Sequence, residues 1–314
     1  MISVIDCGGS STRFGIWDGQ KLSQVITLAT PSYHRHKDLP IEELQKLWLT
    51  FLKKNLIEHK NCSSISIGFA GPVKNDSSIS FSPNIWGPKK NRLSIETIEK
   101  FLEKPCCIIN DLSAAIIRYG YDDRYQSYKR IMLLTISTGV GSKIFDITHK
   151  ELLIDQHGRS GELGKIHIDN IFIPSASRSF SGTLEKYASG LGITHLAKIC
   201  SKDIELHNIQ ASKILRLCQK GHSEASRIIN IATEILAQIL QTTILSAAPE
   251  KIFIMGGILQ DNGNLFKQQL ISSLLKLKIY EYSKSELEEL FELGYGDDYS
   301  GMIGAGLYAK NKGY

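Results

Sequence analysis

Apolar positions along this chain follow two rhythms, one of period two and one near 3.6, and they alternate. The segments Ile2–Ile5, Arg13–Trp17 and Leu22–Leu28 predict strands, the first two joined by the turn of DCGGSS. In IEELQKLWLTFLKKNLIEH, Ile41, Leu44, Trp48, Phe51, Leu52 and Leu56 recur at helical spacing. SISIGFAGPV reads as strand then turn, ISFSPNIWGP as a loop, and CCIIND as a strand with a polar carboxyl end. The pattern then restarts: LSAAIIRYGY is helical, IMLLTIS a strand, GVGS a turn and KIFDI a strand. From Ser181 onward the chain is mostly helical, with Ile228, Ile231, Ile235, Ile239 and Leu240 marking the buried face of one long helix. KIFIMGG is a strand ending in paired glycines, and MIGAGLYAK is a closing helix.

The strand–turn–strand unit of residues 2–17 is echoed at 131–145, which suggests internal duplication. Strands alternating with helices in both halves favour an α/β protein with a mostly parallel central sheet in each. A length of 314 residues allows two domains, and 42% hydrophobic with 22% charged residues is globular. The net charge of +5 is mild and the one basic run, Lys89-Lys90-Asn91-Arg92, is short, so no nucleic-acid partner is expected. None of the six cysteines forms a CxxC pair, which predicts reduced, mostly buried thiols in a cytoplasmic protein. The first strand begins at Ile2, leaving no room for a signal peptide, and no apolar run approaches the ~18 residues of a membrane span.

Several segments could carry chemistry. In DCGGSS, Gly8 and Gly9 let a phosphate approach the backbone, Ser10, Ser11 and Thr12 add donors, and Asp6 could hold a hydrated Mg²⁺. The same residues would also make an ordinary β-hairpin. Ser137-Thr138-Gly139-Val140-Gly141-Ser142 is a second turn of the same makeup. Asp111 follows an apolar strand and precedes a helix, where open α/β sheets bind ligands. A carboxylate there can take the proton of an attacking hydroxyl, or Asn110 or Asp111 can simply cap the helix. Glu162 lies between Gly161 and Gly164, and Gly256-Gly257 could give way to an adenosine or merely end a strand.

Taken in order, DCGGSS, GFAGP, SPN, NDLSAA, STGVGS, GELG, LEKYASG, IMGG and IGAGLYAK resemble the ROK family of sugar kinases and sugar-responsive repressors. The resemblance runs from residue 2 to about residue 309. It implies a two-domain actin/hexokinase-like ATPase fold, with duplicated βββαβ-type domains around a central cleft. The small domain would comprise residues 1–111 plus 303–314, and the large domain 112–302. By this resemblance Asp6, Gly8, Gly9, Ser10 and Thr12 form the first phosphate loop, with Asp6 reaching Mg²⁺ through water. Thr138, Gly139 and Gly141 form the second, and Gly256 and Gly257 match the adenosine turn. Asp111 would be the general base toward a sugar 6-hydroxyl. Asn84, Asn110, Glu162, Lys165 and Glu185 would line the sugar pocket. The implied partners are ATP, Mg²⁺ and a hexose or hexose derivative, with a homodimer expected and no membrane partner.

The chain departs from the family at its structural zinc site. Lys165 stands at the histidine position, and Ala176, Arg178 and Thr183 at the cysteine positions. None of these is a zinc ligand, so no zinc is expected, and His167 reads as a strand residue. The loop SASRSFSG must then be held by packing and hydrogen bonds, Phe180 being a candidate. Lys165 would repel a cationic amino sugar but not a neutral hexose or an N-acetylated hexosamine. Lys143, where the family has glycine, could reach a phosphate or point to solvent. Two readings compete with an ATP-dependent kinase: a non-catalytic or regulatory sugar-binding protein, and a kinase using polyphosphate. A repressor would need a helix-turn-helix ahead of the first strand, for which this sequence has no room.

Overall fold

The computed structural model describes residues 1–56, 59–74, 77–90 and 92–314. Asn91 of the basic run, and Ile57 and Glu58 at the end of the first helical pattern, lie outside the described residues. Compactness divides the chain into two units, residues 1–127, 145–160 and 297–314 in one, 128–144 and 161–296 in the other.

In the first unit β1 (Ile2–Cys7), β2 (Ser11–Trp17) and β3 (Leu22–Ala29) form an antiparallel meander. After α1 (Ile41–Asn55), β4 (Ser64–Phe69) returns parallel to β1. A small sheet of β5 (Val73–Lys74), β6 (Ser78–Ile79) and β7 (Leu93–Ser94) encloses α2 (Pro83–Trp86) in sequence. The turn-rich run ISFSPNIWGP is therefore not all loop, because Pro83 at the first helical position sets the φ that one turn of helix needs. Helix α3 (Ile95–Leu102) leads to β8 (Cys106–Asn110), parallel to β4, and then to α4 (Asp111–Gly120). The sheet order is β3-β2-β1-β4-β8. Trp48 of α1 packs edge-on against Phe69 and Trp86 at 5.4 and 5.9 Å.

In the second unit β9 (Arg130–Ile136) and β10 (Val140–Asp146) flank the second turn. Phe145 and Asp146 of β10, with β11 (Glu151–Leu152), belong to the first unit. A hairpin of β12 (His167–Ile173) and β13 (Arg178–Thr183) precedes α5 (Glu185–Ala188), α6 (Gly190–Cys200), α7 (Ala211–Gln219) and α8 (Ser223–Ala247). Strand β14 (Lys251–Met255) runs parallel to β9, and α9 (Gly263–Lys276) and α10 (Lys284–Leu290) bring β15 (Phe291–Leu293) parallel to β14. The order β11-β10-β9-β14-β15 repeats that of the first sheet, as duplication requires.

Two expectations change. Helix α8 is long and apolar enough, by length and composition, to cross a membrane. It is instead a core helix: Ile228, Ile231, Ile235, Leu236 and Leu240 are fully enclosed. Helix α4 counts with the first unit rather than opening the second, because it packs on α11 (Ser300–Asn311). A Cβ on Gly304 would stand 1.7 Å from the Ala114 carbonyl oxygen, so only glycine permits this approach.

Candidate active site

Parallel pairing puts the carboxyl ends of β1, β4 and β8 along one edge of the first sheet. Asp6 is in register with Gly68, and Gly68 with Ile109, so Asp6 and the Asn110-Asp111 step lie two strands apart, roughly 10 Å. Asp6, next to last in β1, is mostly buried and accepts from Arg13, its cross-strand partner, at 3.3 Å. Burial raises its carboxyl pKa above the usual range, with the Arg13 guanidinium opposing. Arg13 also reaches Asp298 at 3.2 Å. Motif reading missed Arg13, although strand pairing across the DCGGSS turn places it opposite Asp6.

Gly8 closes the turn by donating its N–H to Ser11 O at 3.0 Å. A Cβ on Gly9 would meet Asn84 Cβ at 2.8 Å, so the glycine turn and Asn84 are in direct contact. Ser10 is exposed at the tip. Thr12 does not join them: it is fully buried, its hydroxyl bonded to Thr30 Oγ1 at 2.8 Å. Strand alternation turns it inward with Phe14.

Asn110 caps α4, its Oδ1 accepting from the Ser113 N–H at 3.0 Å, so the capping reading holds for this residue. Its Nδ2 donates to Gly71 O at 3.1 Å and to Asp111 Oδ1 at 2.9 Å. Asp111 Oδ1 also accepts from the Leu112 N–H at 2.9 Å, which fixes the orientation of the carboxylate. Gly71 backs onto Phe81 O, and Ser82, starting the turn that carries Asn84, donates to Ala70 O at 2.7 Å. Hydrogen bonds and backbone contacts thus run from Asp111 through Asn110 and Gly71 to Asn84 and Gly9.

In the second unit, the turn after β9 is closed by the Ser137 N–H donating to Gly139 O at 2.9 Å, with Thr138 exposed and Gly141 half-buried. Glu185 Oε2 would lie 3.0 Å from a Cβ on Gly139 and 3.1 Å from one on Gly164. Its Oε1 is ion-paired to Lys165 Nζ at 2.5 Å. Gly161, at φ +66°, lets its carbonyl accept from the Ser142 N–H at 2.8 Å, and this holds the Glu162 loop on β10 with Glu162 exposed. Gly256, at φ +136°, lies against Ile136, where a Cβ would come within 1.9 Å of the carbonyl oxygen; Gly257 opens onto free space. The start of α6 joins this group unannounced, its Gly190 N–H donating to Ser137 O at 2.7 Å. Lys143 does not point to solvent, being 2% exposed in β10.

The zinc positions do not fit a metal. Lys165 is ion-paired, Arg178 lies over Phe180 at 5.3 Å, and among the described residues no group of three His, Cys, Asp or Glu could hold an ion. The loop is tied otherwise. Ser175 donates to Glu234 at 2.7 Å, Phe180 packs edge-on against Tyr187 at 5.0 Å, and Tyr187 Oη donates to Ser181 O at 2.8 Å. Phe180 is 3% exposed, so Phe180→Ala should cost about 3 kcal/mol in a denaturant melt. A zinc chelator should leave the wild-type melting temperature in place.

The sequence matches the model of the ROK family over residues 2–312. A C(7)-cyclitol 7-kinase of Streptomyces hygroscopicus subsp. limoneus is 24% identical over 98% of this chain and 93% of its own length. A glucokinase of Pyrobaculum calidifontis is 24% identical over 79% of each chain. The crystal structure of a ROK family glucokinase from Streptomyces griseus, in complex with glucose and AMPPNP, superposes with a TM-score of 0.73 at 19% identity, covering 99% of both chains. The fold is the actin/hexokinase-like one that the sequence resemblance implied.

Proposed function

The chain belongs to the ROK family, and on that premise we propose that it is a carbohydrate kinase transferring the γ-phosphoryl group of ATP to a primary hydroxyl of a neutral hexose, N-acetylhexosamine or similar polyol. Asp111 takes the hydroxyl proton as the acceptor oxygen attacks the γ-phosphorus, and the P–O bond to ADP breaks. The observation that carries this reading is the edge shared by Asp6 and Asp111, two carboxylates two strands apart at the ends of parallel strands. That span accommodates an acceptor hydroxyl and a terminal phosphate in line.

Asp6 suits a hydrated divalent cation, since Arg13 engages only Oδ2 and the small Gly301 lies beside the carboxylate. Mg²⁺ bound with ATP supplies charge neutralisation there. Gly9 and Ser10, and Thr138, Gly139 and Gly141, offer N–H and hydroxyl donors to phosphates, while Gly8, its own N–H spent on closing the turn, leaves the backbone open to their approach. Gly256 and Gly257 leave room for adenosine. Asn84, Asn110, Glu162 and Glu185 take acceptor hydroxyls, and Thr12 is left to the core.

Lys165 places a cation against Glu185, which disfavours a charged amino sugar. A coupled ADP-release assay over a sugar panel tests both points. Glucose or N-acetylhexosamines should exceed glucosamine by about tenfold in kcat/KM, a difference of about 1.4 kcal/mol. Lys165→Gln should narrow that gap. If no sugar or cyclitol stimulates ADP release, the kinase reading fails.

A further inference from the structure

A cavity of about 270 Å³ lies within the first unit, along one side of α4. Asn110, Ser113, Ile117 and Tyr121 line it, a spacing of three to four residues that marks a single helical face. It extends roughly 16 Å from the Asn110 end, at the helical rise of 1.5 Å per residue, so its far end is well clear of Asp111. Ile109, Phe145, Leu152 and Ile154 make most of its wall apolar. Two glycines fix that wall: a Cβ on Gly120 would come within 2.3 Å of the Phe145 ring, and one on Gly158 within 1.9 Å of Val73 O.

The rim is cationic on balance. Lys150 and Lys312 line it with a single carboxylate, Glu151. Lys150 Nζ lies 5.1 Å over the Tyr121 ring, and Lys312 Nζ 5.6 Å over Tyr308. The Lys150 ammonium donates to Gly120 O at 3.2 Å and to Gln126 Oε1, both uncharged acceptors, so one N–H remains. A half-open, largely apolar wall with a cationic mouth selects a ligand with an apolar body and one acidic group.

The geometry points to an effector site for a small amphipathic carboxylate, an aryl or branched-alkyl acid of roughly a dozen non-hydrogen atoms. The occupant sits against Asn110 and Ser113, the two residues of the α4 cap, and Asn110 is hydrogen-bonded to Asp111. Binding therefore changes how the cap holds Asp111, and acceptor KM moves with it. Only this coupling rests on the kinase reading; binding itself does not.

The test is calorimetric titration of the full chain with 3-phenylpropionate and its uncharged amide, alongside acceptor KM measured at saturating acid. Wild type should bind the acid with a Kd of about 1 mM or tighter, and the amide about fivefold more weakly. Ile154→Trp, at a position 42% exposed and so tolerant of size, should fill the cavity and weaken binding at least about tenfold. Lys150→Gln should erase the preference for acid over amide. Circular dichroism melts establish that both variants fold. No heat in wild type up to about 10 mM acid overturns the site, as does unchanged binding in Ile154→Trp or equal affinity for acid and amide. An acceptor KM that stays fixed under saturating acid overturns the coupling. If the chain phosphorylates nothing, the titration still decides the site while the kinase reading falls on its own.

Discussion

Asp111→Asn should lower kcat by about a thousandfold with little change in acceptor KM or melting temperature, the size expected for losing a positioned general base. The substitution is close to isosteric, and an amide oxygen can still accept from the Leu112 N–H and from Asn110 Nδ2. The start of α4 therefore stays capped, because the cap itself is Asn110 Oδ1 on the Ser113 N–H. What disappears is basicity, since an amide cannot take a proton at neutral pH. Steady-state kinetics with the preferred acceptor, together with thermal melts of both proteins, check the prediction. A variant retaining more than about a tenth of wild-type kcat places the base elsewhere.

Gly161→Val should damage both stability and acceptor use. The backbone at Gly161 has φ +66°, which a β-branched residue adopts only under strain. A Cβ there would also stand 1.8 Å from the Ser142 carbonyl oxygen. Relief requires the loop to lift off β10 and give up the bond from the Ser142 N–H to Gly161 O, 2.8 Å long. We expect a loss of about 3 kcal/mol in a denaturant melt from strain plus the lost bond. Glu162, next in the chain, moves with the loop, and a displacement near 1 Å costs about a hundredfold in kcat/KM. A variant with wild-type stability and kinetics removes Glu162 from the acceptor site.

Much of this organisation was legible in the sequence, for identifiable reasons. The DCGGSS and STGVGS turns were readable because glycine and hydroxyl residues interrupt apolar runs that can only be strands. The end of β8 was readable because CCII meets Asn110 and Asp111 abruptly. The inward turn of Thr12 was available in the alternation of β2, but the motif drew attention to its hydroxyl instead. The β12–β13 hairpin was harder to see, because its pairing is irregular between Ile168 and Ile171 and breaks the period-two pattern. The packing of α4 on α11 was not legible at all, since Ala114 and Gly304 are far apart in sequence and small residues give no apolar signal. The anchors of the SASRSFSG loop, Glu234 with Ser175 and Phe180 with Tyr187, likewise depend on pairings only the fold makes.

The central claim is that the Asp111 carboxylate faces the attacking oxygen, and a crystal structure with a non-hydrolysable ATP analogue and the preferred acceptor tests it most directly. The account predicts a carboxylate oxygen within about 3.2 Å of the acceptor hydroxyl, with that hydroxyl in line with the γ-phosphorus. An Asp111 whose two oxygens are both taken up by amides of its own helix, with the acceptor hydroxyl facing another base, would contradict it.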